Sequence, residues 1–246
     1  METNMKDRLL EVIRQVVCES GYQDWYREPL VGFVAADDPR FDDLDQIIGN
    51  QMVTPREIKA DAQTVIVYFL PYSEMLGKII HGESCIYQEW SNYYTVTNDL
   101  LAKISRVIVG FLAEEGYETM DIPPTNNYDA ETLTAQWSHK SVAVLSGIGS
   151  FGLNHLLVTK YGTAGRLNSL ITNAVIEPSE YTGHQYCLYY QSGKCKMCLE
   201  RCPTGAISEH GIDKFRCNAY LDGKCVHELQ QGCPMCSSGP CTSRGF

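Results

Sequence analysis

The sequence predicts an α+β protein that carries a separate cysteine-rich domain at its C-terminal end. Three observations point there. Apolar residues make up 44% of the 246 and charged residues 20%, the balance of a chain able to bury a core. Helical and strand-like patterns are mixed along the chain up to about residue 180. Beyond that point composition turns to Cys, Gly and short polar loops, and nine of the 11 cysteines fall between Cys187 and Cys241. The expected domains are therefore 1–180 and 181–246.

Residues 5–20 carry apolar spacing suited to a helix that ends near Gly21. Thr64 to Leu70 is β-branched and aromatic and is stopped by Pro71, the mark of a buried strand. Asn98 to Glu115 has helical periodicity, with Asn98 as N-cap and Gly116 as stop. Pro123-Pro124 breaks the chain, and Asp129 to Leu145 reads as helix again. Leu156–Thr159 and Leu167–Asn173 read as short strands around a turn, Tyr161-Gly-Thr-Ala-Gly165.

The formal charge of −10, with no basic stripe, argues against nucleic acid as a partner. The N-terminal stretch lacks the continuous apolar segment of a secretory signal, and no apolar run approaches the ~18 residues of a membrane span. A soluble, cytoplasmic protein is expected. Cytosolic thiols are kept reduced, so clustered cysteines there point to metal rather than disulfides.

The first cysteine group is Cys187-x7-Cys195-x2-Cys198-x3-Cys202-Pro203, and the second is Cys217, then Cys233-x2-Cys236-x4-Cys241. Cys195 to Pro203 reproduces the last part of the bacterial ferredoxin run, whose fourth cysteine ligates the other of two clusters. Crossed in that way, Cys187, Cys195, Cys198 and Cys241 would hold one [4Fe–4S] cluster. Cys202, Cys217, Cys233 and Cys236 would hold the other, with Cys225 as a possible replacement for Cys217. The insertion 188–194 must loop out for Cys187 to reach its site. Apolar Met197, Leu199, Ala206 and Ile207 are placed to keep water away. Structural zinc is the competing reading, but it accounts for neither the Cys-Pro nor the surplus thiols. Cys18 and Cys85 read as small buried hydrophobes.

Gly147-Ile-Gly149-Ser-Phe-Gly152 matches the dinucleotide-binding pattern G-x-G-x-x-G, but that site needs a strand before it and a helix after it. Here a helical stretch precedes and a strand follows, so a tight helix-to-strand turn is the simpler reading. The whole run from Ser138-His139-Lys140 through Gly152-Leu-Asn154, continued by the 161–165 turn and Arg166, resembles the epoxyqueuosine reductase and reductive dehalogenase superfamily. Cys202-Pro-Thr-Gly-Ala-Ile and Arg216-Cys217-x-x-Tyr220-Leu resemble the same superfamily, and residues 92–101 do so weakly. The superfamily's lysine before the asparagine is Leu153 here, its tryptophan is replaced at Ser150-Phe151, and its acid motif is not recognisable.

That resemblance implies a nitroreductase-like core holding cobalamin and a ferredoxin-like double-cluster domain that feeds it single electrons. It implies cofactor contacts for His139, Lys140, Gly147, Gly149, Gly152, Asn154 and Arg166. A reductase also needs a proton source, for which Tyr128 and Asp129 are the candidates, with Asp121 nearby. Lys140 also reads as an ordinary solvated charge, Arg166 as the partner of a surface carboxylate, and His139 as a helix-end hydrogen bonder. The expected donor is a ferredoxin or flavodoxin, in an anaerobic setting, with the chain a monomer or homodimer. The alternative function is an electron-transfer or activating protein that reduces a partner, for example a corrinoid protein.

Overall fold

The computed structural model describes residues 4–44, 52–81, 87–123, 128–225 and 233–243. Along the chain come α1 (Met5–Cys18), β1 (Leu30–Ala35), α2 (Pro55–Ile58), β2 (Thr64–Pro71), α3 (Glu74–His81), α4 (Tyr87–Glu114), β3 (Thr119–Asp121), β4 (Tyr128–Asp129) and β5 (Thr134–Ala135). There follow α5 (His139–Leu145), β6 (Gly149–Phe151), β7 (Leu157–Thr159), β8 (Gly165–Thr172), α6 (Leu188–Ser192), α7 (Met197–Arg201), β9 (Ile207–Ser208), β10 (Gly211–Ile212) and α8 (Lys214–Cys225). Among the described residues no helix is long and apolar enough to cross a membrane.

The chain forms two compact units, and they are not the two consecutive blocks expected. One contains residues 1–70, 99–148 and 167–182; the other contains 71–98, 149–166 and 183–246. The expected boundary near 180 coincides with the last crossing only. Two earlier segments join the cysteine-rich part: Thr163 and Ala164 donate to the Cys241 and Thr242 carbonyls, and Tyr72 donates to Ala164.

The first unit is built on a sheet of order β1-β2-β8-β3. β2 is buried along its whole length, as its unbroken β-branched and aromatic run requires. The two covering layers can be placed from side-chain alternation. The Tyr68 hydroxyl donates to the Leu101 carbonyl of α4 at 2.8 Å, so α4 covers that face. Gly32 lies opposite Val67, on the other face, and a Cβ there would collide with Ser146 at the end of α5. α1 sits beside α4, with the Arg8 guanidinium 4.7 Å from the Phe111 ring centroid and paired to Glu115 at 2.6 Å. Leu9, Ile13, Leu101, Ile104, Ile108 and Leu112 are all fully buried. Asn4 caps α1 by accepting from the Lys6 and Asp7 N–H groups.

Two sequence expectations change. α4 begins at Tyr87, so Asn98 is inside the helix and not its cap. Its side-chain oxygen accepts two bonds from Arg166, at 3.1 and 2.9 Å. The added turns are rich in Tyr, Thr and Val, poor helix formers that packing holds in place: Trp90 meets Tyr72 and Tyr94 edge-on at 6.0 and 6.4 Å. The helix expected over 129–145 starts only at His139, capped by the Ser138 hydroxyl. Before it stands the hairpin β4–β5, whose turn is held by the Asp129 carboxylate accepting from the Glu131 and Thr132 N–H groups and the Thr132 hydroxyl. Short polar side chains that bond their own backbone divert it from a helix. Pro124 lies outside the described residues.

Two glycines differ sharply in what they do. Gly147 ends α5 with φ +80°, and a Cβ there would lie 2.6 Å from the Glu180 carbonyl oxygen. Gly110 is an interior position of α4 with open space around it. Gly147→Ala is therefore expected to lose roughly 1–3 kcal/mol of stability through left-handed strain and contact, whereas Gly110→Ala should gain roughly 0.5–1 kcal/mol by restricting the unfolded chain. Urea denaturation of the two variants against the parent checks both signs.

Candidate functional site

The second unit gathers the cysteines. The seven-residue insertion after Cys187 is taken up by the one-turn helix α6 and by Gly193, whose φ of +70° reverses the chain toward Cys195. Cys187 itself stands at the N-terminal end of α6 and is 8% exposed. Cys198 lies in α7, Cys202 caps its C-terminal end and Cys195 stands two residues before it.

Cys187, Cys195, Cys198 and Cys241 line one small cavity, together with Leu153, Val158, Met197 and Cys236. Leu153, Val158 and Cys187 form a buried apolar cluster, with Cys198, Leu199 and Cys241 packed on it. Burial pushes the Cys198 thiol up to about 11, and the neighbouring Cys241, Cys187 and Cys195 add to the effect. These four residues are the first set expected from the spacing. They come from sequence positions as far apart as 187 and 241.

The second expected set is also in mutual range. Burial pushes the Cys236 thiol up to about 12, and Cys233, Cys217, Cys202 and then Cys198 contribute. Cys217 is raised by burial and then by Cys202. Burial acts to raise Cys202 as well, but bonds from the Thr204 hydroxyl and from the Thr204, Ala206 and Ile207 N–H groups outweigh it and lower the thiol. Ala206 and Ile207 are buried as expected, while Met197 is 37% exposed. Among the described residues no group of three or more His, Cys, Asp or Glu is placed to hold a single metal ion. The side chain of Cys225 and the whole of Cys85 lie outside the described residues. Cys18 is exposed at the end of α1, contrary to the expectation of a buried hydrophobe.

The residues carried over for a cofactor are engaged within their own units. The His139 ring, buried, meets the Ser169 hydroxyl at 2.7 Å and the Pro123 carbonyl at 3.1 Å. Lys140, next to it in α5, is half-buried. Gly147 makes the turn described above. Gly149 and Gly152 let β6 approach β7, since a Cβ on either would come within 2.6–2.7 Å of Leu157, Val158 or Asn154. The Asn154 amide donates to the Cys236 carbonyl at 2.7 Å. The Arg166 guanidinium lies 3.8 Å from the Tyr94 ring centroid and bonds Asn98. The helix-then-strand order expected around the glycines is what the structure has, from α5 into β6.

One contribution had no separate signal in the sequence. Gly162, at φ +101°, brings its Cα so close to the Cys241 and Thr242 carbonyls that a Cβ would lie 2.5–2.6 Å from them. The next two residues donate to those carbonyls, Thr163 N–H to Cys241 at 2.7 Å and Ala164 N–H to Thr242 at 2.9 Å. A tight glycine turn seen only in sequence does not say which backbone it is tight against.

No protein-family model matches the chain. An epoxyqueuosine reductase of Bacillus anthracis is 26% identical over 176 residues, 68% of this chain and 42% of the relative. One from Lactococcus garvieae is 35% identical over 96 residues, 38% of this chain and 26% of the relative. Among solved structures, the epoxyqueuosine reductase of Streptococcus thermophilus superposes with a TM-score of 0.57 at 21% identity, over 97% of this chain and 66% of that one. A catabolic reductive dehalogenase superposes with a TM-score of 0.58 at 16% identity, over 90% of this chain and 30% of that one. The resemblance to this superfamily holds. The chain shares the fold of both kinds of enzyme, and it spans less than half the length of the Bacillus relatives it matches. A further neighbour, an epoxyqueuosine reductase, was solved with an epoxyqueuosine-modified tRNA stem loop, a class of partner that the charge of −10 argued against for this chain.

The proton-source candidates divide. Tyr128 is 52% exposed, and Asp129 is exposed with its carboxyl held below the ordinary range by the Thr132 N–H and hydroxyl. A carboxyl held ionised does not suit a donor. Asp121, at the end of β3, is shifted the other way: burial raises it, against bonds from Ser105, Asn168 and the Ile122 N–H and the charge of Arg106. A raised carboxyl binds its proton more tightly folded than unfolded, so stability falls as pH rises from the unfolded value of about 3.9 through the folded one. Asp121→Asn should flatten that fall, giving a smaller loss in urea midpoint between pH 4 and pH 7 than the parent; an unchanged pH profile would assign the carboxyl no such role.

Proposed function

We propose that this chain is an iron–sulfur reductase component that moves electrons singly through two [4Fe–4S] clusters. Cys187, Cys195, Cys198 and Cys241 hold one cluster, and Cys202, Cys217, Cys233 and Cys236 hold the other. The observation that carries this reading is the cavity bordered by all four cysteines of the first set, drawn from both cysteine groups. Spacing alone had paired them in that crossed way. When bound, each cluster supplies a one-electron reducing equivalent.

The chain's own residues do the rest. Leu153, Val158 and Leu199 exclude water from the first set, and lower water access and polarity shift a cluster's potential. N–H and hydroxyl donors from Thr204, Ala206 and Ile207 stabilise negative charge on the Cys202 sulfur, whereas at Cys198 burial outweighs its one backbone bond. Hydrogen bonds to a cluster sulfur are one of the levers on its potential, and Cys202 is where this chain applies it.

The superfamily resemblance implies cobalamin as the acceptor, in a nitroreductase-like core. Of the residues carried over for it, the His139 ring, the Asn154 side chain and the Arg166 Nε and Nη2 groups already have partners inside their units, and the glycines serve turns and strand contacts. The same observation favours a second reading, in which the clusters reduce an acceptor carried by a partner, such as a corrinoid protein. An RNA-borne substrate like that of the tRNA-bound neighbour is a further acceptor class, set against this chain's charge of −10.

Anaerobic purification followed by iron, sulfide, zinc and corrinoid analysis tests these readings together. About eight iron and eight sulfide per chain are expected from two cubes. Zinc in place of iron, without sulfide, would overturn the reading. Uptake of one corrinoid per chain would place the acceptor on this protein; intact clusters without uptake would move it to a partner.

A further inference from the structure

The strand pair β6–β7 touches the cysteine loops by side-chain bonds that the cofactor reading of this segment does not use. Ser150, on β6, is 7% exposed, and its hydroxyl donates to the Gln185 side-chain oxygen at 2.6 Å. The same hydroxyl oxygen accepts the Tyr186 N–H at 2.8 Å. The Gln185 oxygen in turn accepts the Cys187 N–H at 2.7 Å. Gln185 is fastened from its other side too, its carbonyl accepting from the Gln191 amide of α6 at 2.5 Å. A closed set of bonds therefore runs from β6 to the backbone of Cys187, the cysteine that the long insertion leaves least constrained.

Four residues further on, Asn154 does the equivalent for the other set. It is 3% exposed; its amide nitrogen donates to the Cys236 carbonyl, while its oxygen accepts the Leu156 N–H at 3.2 Å. Gly152 is forced by the same contact, since a Cβ there would lie 2.6 Å from the Asn154 oxygen.

We infer that Ser150 and Asn154 are positioning residues for the two cysteine sets, Ser150 acting through Gln185 on Cys187 and Asn154 acting on Cys236. The inference rests on the two-cluster reading. It assigns the segment 149–154 to holding cysteines rather than to touching a cofactor. Buried hydrogen bonds to backbone fix a loop best when their members are satisfied, and here the Ser150 hydroxyl, the Tyr186 and Cys187 N–H groups and the Asn154 amide each have an acceptor. Removing one side chain leaves a buried partner unpaired and frees one cysteine loop while leaving the other tied.

The two bonds act on different sets, so their losses should be separable. After anaerobic reconstitution with iron and sulfide, Ser150→Ala and Gln185→Met are each expected to hold about half the parent's iron. They should weaken the same electron paramagnetic resonance signal that Cys195→Ala abolishes. Asn154→Ala should weaken the signal that Cys233→Ala abolishes. Ser150→Thr and Gln185→Glu keep the hydroxyl and the acceptor oxygen and should restore the first signal, a rescue that a merely space-filling role would not show. Both signals at full strength in Ser150→Ala, Gln185→Met and Asn154→Ala would overturn the inference while leaving the cluster reading intact. A parent chain that takes up no iron would instead overturn the cluster reading itself.

Discussion

Bringing four thiols from distant parts of the chain to the border of one apolar cavity is the constraint on which the second unit depends. Thiols crowded in this way resist ionisation, as the upward shifts at Cys198 and Cys236 record. In their charged forms the cysteines oppose this gathering, because burial and mutual repulsion both disfavour the thiolates. The geometry must come from the backbone around them. It is provided from outside the cysteine-rich sequence: Gly162, Thr163 and Ala164 fix the Cys241 region, and the β6–β7 pair reaches the loops of Cys187 and Cys236.

The first unit meets a different demand. Its central strand β2 has no exposed face, so it needs a layer on each side, and α4 with α1 provides one while the end of α5 provides the other. That arrangement explains why Gly32 and Gly147 are glycines. Each stands where a backbone passes within contact distance of another chain segment, one at the sheet and one where α5 gives way to β6. The glycine-rich pattern that resembles a dinucleotide motif is thus an outcome of close packing, and its helix-to-strand order follows directly.

Much of this was legible in the sequence where the signal was local. The uniformly apolar run at Thr64–Leu70 could hardly be anything but a buried strand, and the spacing led to Cys187, Cys195, Cys198 and Cys241, which line one cavity. What misled were residues whose role is set from far away. Asn98 has the chemistry of a helix cap, but Arg166 claims its side chain 68 positions later and the helix runs through it. Asp129 and Thr132 carry enough local bonding to turn the chain into a hairpin where periodicity alone favoured a helix. Ser150 departs from the superfamily pattern, and as a sequence letter it reads only as a lost aromatic ring. Its partner Gln185 is 35 residues away and has no motif of its own.

The interleaving of the two units has a consequence for how the cysteine-rich part can be passed between proteins. A ferredoxin-type sequence at a chain end looks like a cassette, something that recombination or an engineer's scissors could move to a new host. Here residues 183–246 would travel without 149–166, and so without the hydroxyl, the amide and the glycine turn that hold three of their cysteine loops. The heritable unit is therefore larger than the motif, and it is discontinuous. A change in the middle of the gene and a change near its end must remain compatible for the cysteines to meet.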